Sequence, residues 1–146
     1  MITRPMRVLA GLLVPLLLCL ADAKAQDLTE VLDQVAALWA NNDAHGLARF
    51  AAKRGVSLDI DGRPMGPLGE RQLAAVLRKL FDERETLQVR RMVSKIVGGN
   101  PTGGFGEINW IMRARGTTIP ERTTVFVAFT LQDERWRITQ IRFVQP

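Results

Sequence analysis

Apolar side chains recur along this chain with two periods, the first helical and the second strand-like. Between Asp27 and Asn41 they fall at Leu28, Val31, Leu32, Val35, Leu38 and Trp39. Steps of three and four place them on one face of a helix, and Asp27 or Thr29 can cap its start. Asn41-Asn42-Asp43 breaks the pattern. A shorter helix is predicted from about Ala44 to Lys53, turning Leu47 and Phe50 inward, with Gly55 suited to the left-handed position past its end. Val56 to Ile60 alternates apolar and polar, as a strand with one buried face does. Asp61 to Gly69 carries two prolines and three glycines and is predicted as a loop with a short return strand. A third helix is predicted from Glu70 to Arg84, its buried stripe being Leu73, Val76, Leu77, Leu80 and Phe81.

From Thr86 onward the period is two. Thr86 to Val97 and Phe105 to Arg115 read as long strands joined by the glycine-rich loop Gly98 to Gly104. A closing hairpin follows: Thr123 to Leu131, the turn Gln132-Asp133-Glu134, and Trp136 to Phe143. In the second long strand Ile108, Trp110 and Met112 share one face, which is predicted to meet the helices. Glu107, Asn109, Ile111, Arg113 and Arg115 share the other. In the next strand both faces are apolar, with Val125, Val127 and Phe129 on one and Phe126 and Ala128 on the other. A strand apolar on both sides wants cover on both sides. A chain of this size has helices for one face, so a second copy is predicted over the other. The expectation is a homodimer through the outer sheet face, with Val125, Val127 and Phe129 as its interface. In the last strand the apolar parity shifts between Ile138 and Ile141, which predicts a β-bulge near Thr139-Gln140. The elements together predict an α+β domain, a curved antiparallel sheet packed on three helices. There is no internal repeat or linker.

The N-terminal pattern sets residues 1–25 apart. Arg4 and Arg7 precede an apolar run from Val8 to Ala21, and Ala23-Lys24-Ala25 puts small residues where a signal peptidase reads. The segment is predicted to be a secretory signal peptide cleaved after Ala25, leaving residues 26–146 as one domain in the periplasm or outside the cell. The run falls short of the roughly 18 apolar residues of a spanning helix, so no stable membrane insertion is expected after its removal. Cys19 follows Leu18 rather than the small residue a lipid-modified N-terminus wants, which argues against a lipid anchor.

Removing the signal removes the one cysteine of the chain. The remaining domain can form no disulfide or thiolate metal site, and a single histidine is a poor basis for zinc, so no metal and no cofactor are expected. Residues 26–87 hold eight basic and ten acidic side chains, and those from Gln88 onward hold nine and four. The basic half carries no aromatic-basic interleaving or nucleic-acid motif, so no nucleic-acid partner is expected. The glycine-rich loop lacks the Lys-Ser/Thr of a phosphate loop and reads as a hairpin connection.

The element order resembles the nuclear transport factor 2-like (SnoaL-like, cystatin-like) superfamily, a cone of curved sheet wrapped on three helices. The likeness covers nearly the whole domain. It is carried by Asp59-Ile60-Asp61-Gly62-Arg63-Pro64 before the third helix and by the terminal Trp136-Arg137-Ile138-Thr139-Gln140-Ile141. That superfamily includes isomerases, dehydratases, cyclases, transport adaptors and exported proteins, so the fold does not choose a function.

The resemblance implies that any acid–base group would sit inside the cone. In isomerase-like members a carboxylate base lies on the strand before the third helix, where Asp59 and Asp61 stand here. The tyrosine that commonly steadies the developing oxyanion has no counterpart, because this chain contains no tyrosine. A dehydratase-like pair would need His45 beside one of these aspartates. Alternation puts Asp59 and Glu107 outside the cone, and His45 at the start of a short helix is expected to be exposed. The alternative function is therefore a cofactor-free lyase or isomerase using Asp61, with or without His45, and Asp59 is the third candidate. The leading expectation is an exported, non-enzymatic binding or interaction domain. In it Trp39, Leu77, Trp110 and Met112 either line a pocket for a small apolar ligand or fill the core themselves.

Overall fold

The computed structural model describes residues 26–145; the expected signal peptide, its cleavage site and Cys19 lie outside the described residues. Helix α1 spans Leu28–Ala40, α2 Ala44–Ala48 and α3 Glu70–Glu83. The strands are β1 Val56–Ile60, β2 Arg63–Leu68, β3 Arg84–Gly98, β4 Gly103–Ala114, β5 Glu121–Gln132 and β6 Arg135–Val144. They form one curved, unclosed sheet in the order β2-β1-β6-β5-β4-β3. The predicted α+β class holds, and β3 to β6 form the predicted antiparallel meander. One pair differs from the all-antiparallel expectation: β1 runs parallel to β6, with Leu58 beside Ile141. β2, α3 and β3 to β5 separate the two in sequence, and no local pattern records that closure.

The caps explain the helix limits. Asp27 accepts the Thr29 N–H through its carboxylate at 2.9 Å, satisfying one of the free donors of α1. Asp43 does the same for Gly46 at 2.8 Å in α2. That helix ends at Ala48 rather than near Lys53, because β6 captures the chain: Ala52 N–H donates to the Ile138 carbonyl at 2.8 Å and Ile138 N–H to the Phe50 carbonyl at 2.6 Å. At the far end of α3, the Arg115 guanidinium donates to the Asp82 and Phe81 carbonyls at 2.7 and 3.3 Å, where a cation suits the helix dipole.

The core lies between the helices and the concave face of the sheet. Leu28, Leu32, Val35 and Trp39 of α1 and Leu73, Leu77 and Phe81 of α3 meet Ile108, Trp110 and Met112 of β4. The predicted Trp110 face therefore does meet the helices. Four rings make its centre: Trp39 stands edge-on to Trp110 and Phe81, both at 5.4 Å between centroids, and to Phe143 at 6.0 Å. The expected bulge is present, since Ala128 pairs with Gln140 and Phe129 with Ile138, leaving Thr139 unpaired.

Two expectations about faces are overturned. Val125 and Val127 are fully buried and Phe129 is 3% exposed, all three inside the core with Ile141 and Phe143. They face the helices and cannot be the surface on which a second copy sits. Pairing decides this: Ile108 stands opposite Val125, and residues opposite one another in an antiparallel ladder share a face. The convex face belongs to the other parity, where Phe105 and Phe126 stack at 5.4 Å and the Arg142 guanidinium lies 6.0 Å from the Phe126 ring. Val76, predicted within the buried stripe of α3, is half-buried, and Ala74 takes its place in the core.

Candidate functional site

The four residues expected to line a pocket fill the interior instead. Trp39, Leu77 and Trp110 are fully buried and Met112 is 2% exposed, each packed among other core side chains. Large rings at edge-to-face distances leave no room inside the cone for a second molecule. Open depressions lie on the surface instead, and one of them is on the flank of the cone, between the β1–β2 hairpin and α3.

That cleft holds about 400 Å³. Its apolar walls are Ile60 and Met65 from the hairpin and Val76 and Leu80 from α3. The helix spacing is the cause: the half-buried Val76 and the edge of the buried Leu80 alternate with the exposed Lys79 and Glu83 along the flank of α3. Asp61, Arg63, Lys79, Glu83 and Arg84 supply its polar edge. Most of those charges are matched. The Arg84 guanidinium donates to Asp61 Oδ2 at 3.2 Å, and Lys79 lies 3.9 Å from Glu83 one turn away. Among the described residues Arg63 is within ion-pair distance of no carboxylate.

Asp61 reaches this cleft as a turn residue. It and Gly62 connect β1 to β2, with φ of +53° and +76°. Two consecutive left-handed residues are what a two-residue hairpin turn requires, and Asp-Gly is a favoured pair for it. Its carboxylate also accepts from Gln145 Nε2 at 3.1 Å, tying the hairpin to the C-terminal segment.

Asp59 belongs to a different depression of about 240 Å³, bounded by Ser57, Pro64, Met65 and Gln140. It is half-buried rather than solvated, and its Oδ1 is enclosed without a hydrogen-bond partner among the described residues. His45 is exposed as expected, and its Nε2 meets the Arg78 guanidinium of α3. It lines neither of these depressions. The structure thus gives Asp59, Asp61 and His45 three separate settings. Glu107 lies on the convex face, as alternation predicts. Among the described residues no three His, Cys, Asp or Glu side chains gather as metal ligands. No helix there is long and apolar enough to cross a membrane.

Solved structures share this architecture at low sequence identity. A DUF4783 family protein from Bacteroides uniformis aligns with a TM-score of 0.62 and 16% identity, over 80% of this chain and 97% of that one. A domain with a cystatin-like fold from Nostoc punctiforme gives 0.61 and 15%, over 80% and 74%. The chain has the nuclear transport factor 2-like, or cystatin-like, fold. A protein with a ketosteroid isomerase-like fold from Catenulispora acidiphila, solved in complex with trimethylamine, gives 0.57 and 16%, over 79% and 84%. No protein-family model matches the sequence, and no curated protein matches it.

The residues missed from sequence are those of the flank. Val76 carried the right signal, an apolar position at the edge of the helical stripe. Its neighbours Ile60 and Met65 come from a hairpin whose approach to α3 is a long-range contact without a local signature.

Proposed function

We propose that this chain is a non-enzymatic, exported binding domain that takes a small apolar ligand in the cleft between the β1–β2 hairpin and α3. The observation that carries the reading is the pairing of a ring-filled interior with an open apolar flank. Ile60, Met65, Val76 and Leu80 form that flank, in a cleft of about 400 Å³. Volumes of this order suit small organic ligands. The acid–base alternative finds less support. Asp61 is held by Arg84 and Gln145, His45 is outside the cleft, and a general base needs free reach to the proton it removes. The trimethylamine-bound neighbour is an instance of this fold holding a small molecule.

Export rests on the Arg4–Ala25 pattern. A homodimer remains part of the reading, moved to the convex face. There Glu107, Phe126 and Arg142 lie in one row across β4, β5 and β6. Under a two-fold axis such a row can set Glu107 of each copy against Arg142 of the other while the Phe105–Phe126 stacks are covered.

Native mass spectrometry of the gently purified protein tests the ligand, with Val76→Glu as the comparison. A retained small molecule present in the wild type and lost from a folded Val76→Glu variant supports the cleft. Its retention in that variant, or a wild type that binds neither a native molecule nor the apolar dye 1-anilinonaphthalene-8-sulfonate, overturns it.

A further inference from the structure

A second cleft lies where α1, α2 with the residues just past its end, and the start of β6 converge. It holds about 430 Å³ and shares no lining residue with the hairpin cleft. Leu38, Phe50 and Trp136 give it an apolar wall. Arg49, Arg135 and Arg137 stand around it, with Asp43 as the acidic lining residue. Among the described residues none of these three guanidiniums is within 4.0 Å of a carboxylate, and the ion pairs of the domain lie elsewhere. Asp43, which accepts the Gly46 N–H, sets one negative charge against these three positive ones, so the lining keeps a net positive charge.

The frame around these charges is fixed. Trp136 Nε1 donates to the Gln26 carbonyl at 2.7 Å and Trp136 N–H to Gln26 Oε1 at 3.3 Å, which holds the indole in place. Arg137 Nη1 donates to the Arg49 carbonyl at 2.9 Å, so one guanidinium is anchored and keeps its remaining donors. Guanidinium donors beside an aromatic wall match a carboxylate carried on an apolar body. The planar fork binds the two oxygens together, and the half-buried Phe50 and Leu38, backed by the buried Trp136, accept the rest of the molecule. We infer that this cleft binds a small organic carboxylate with an aromatic or branched apolar body, its acid group held by Arg49, Arg135 and Arg137. The inference does not depend on the hairpin cleft.

The test uses ligand-observed fluorine NMR on the purified protein with 4-fluorobenzoate as the probe. The neutral 4-fluorobenzyl alcohol and inorganic phosphate serve as comparisons. The expected result is that fluorobenzoate binds and the alcohol does not, and that the Trp136 indole N–H signal shifts on titration. Arg135→Ala, at an exposed position that should not affect folding, is expected to weaken binding roughly ten-fold, the loss of one charge-assisted pair. Arg122→Ala on β5 is the control and should leave it unchanged. Equal binding of acid and alcohol overturns the proposal, as does displacement of fluorobenzoate by phosphate at equal concentration, which would mean unspecific charge. No binding by the wild type overturns it as well.

Discussion

Trp39 and Trp110 meet edge to face at 5.4 Å in the centre of the core, both fully buried, yet only one of them has its indole N–H satisfied. Trp110 Nε1 donates to Thr86 Oγ1 at 3.0 Å, and Thr86 in turn donates to Asn42 Oδ1 at 2.8 Å. Trp39 Nε1 is enclosed without an acceptor among the described residues. A stranded buried donor costs about 1–3 kcal/mol, whereas a made hydrogen bond contributes about 1 kcal/mol. Both tryptophans lose the same volume on conversion to phenylalanine, so the cavity cost is similar. Trp110→Phe is therefore expected to destabilise by about 2 kcal/mol more than Trp39→Phe. Urea midpoints of the two variants measure this; equal losses would show that Trp39 is satisfied in solution by an enclosed water.

Gly106 of β4 is where α1 comes closest to the sheet. A β-carbon there would lie 2.5 Å from Leu32 Cδ2, in the packed core. Gly106→Ala must displace the packed Leu32 side chain and is expected to cost about 1–3 kcal/mol. Adding Leu32→Ala should recover part of that loss, because the two changes share one space. A double-mutant cycle by chemical denaturation reads the coupling, and strict additivity would mean that the cost of the new methyl does not arise at Leu32.

The two faces of β5 should respond oppositely to charge. Phe126 lies half-buried on the convex face and Val127 is fully buried beneath the helices. Val127→Asp places an unpaired carboxylate in the core and is expected to unfold the domain, a penalty of several kcal/mol. Phe126→Asp is expected to leave it folded and convert a dimer to a monomer. Circular dichroism with light scattering separates the outcomes; a Phe126→Asp variant that is still dimeric sinks the convex-face interface.

Glu85 and Arg113 pair across β3 and β4 at 2.8 Å. The hydrogen bond from Arg113 is the main cause that lowers the Glu85 carboxyl below its ordinary value of 4.5. Because the folded value lies below the unfolded one, the stabilisation is complete above about pH 4.5 and fades as pH falls through the depressed value. Glu85→Gln should therefore change thermal stability slightly at pH 7 and flatten the acid limb below pH 4.5. An unchanged acid limb in Tm measured against pH would show that the pair is broken in solution.

Export has its own test. Produced in a bacterium with a periplasm, the protein is expected in the periplasmic fraction with Gln26 as its first residue, and Ala25→Arg should block the cut. Intact mass of that fraction decides it. A full-length chain bearing Met1, found in the cytoplasm, would remove the export proposal.

Much of the fold was legible because local physics wrote it. The stripe of α1, capped by Asp27, and the alternation of β4 need only the periods of helix and strand, and those elements match their predicted spans closely. The bulge at Thr139 was visible as a slip in parity. The direction of β5 was not. Both of its faces are apolar, so alternation left Val127 and Phe126 interchangeable, and only pairing to β4 chose between them. The end of α2 was misjudged for a similar reason: Phe50 and Ala52 hydrogen-bond to Ile138, eighty-odd residues away in sequence.

The candidate sites divide in the same way. Sequence alone determined that residues 26–146 hold no thiol, no tyrosine and one histidine, which restricts their chemistry whatever the fold. It also marked Asp61 to Gly69 as a loop with a short return strand, and the structure narrows the loop to the Asp61-Gly62 turn, because few residue pairs accept two left-handed conformations. Tertiary structure decided what is open and what is full. Whether Trp39 and Trp110 line a cavity or fill it depends on volumes contributed by four distant segments. Whether Arg49, Arg135 and Arg137 line one cleft depends on the capture of the α2 end by β6. Periodicity is a property of neighbours in the chain, whereas enclosure is a property of neighbours in space.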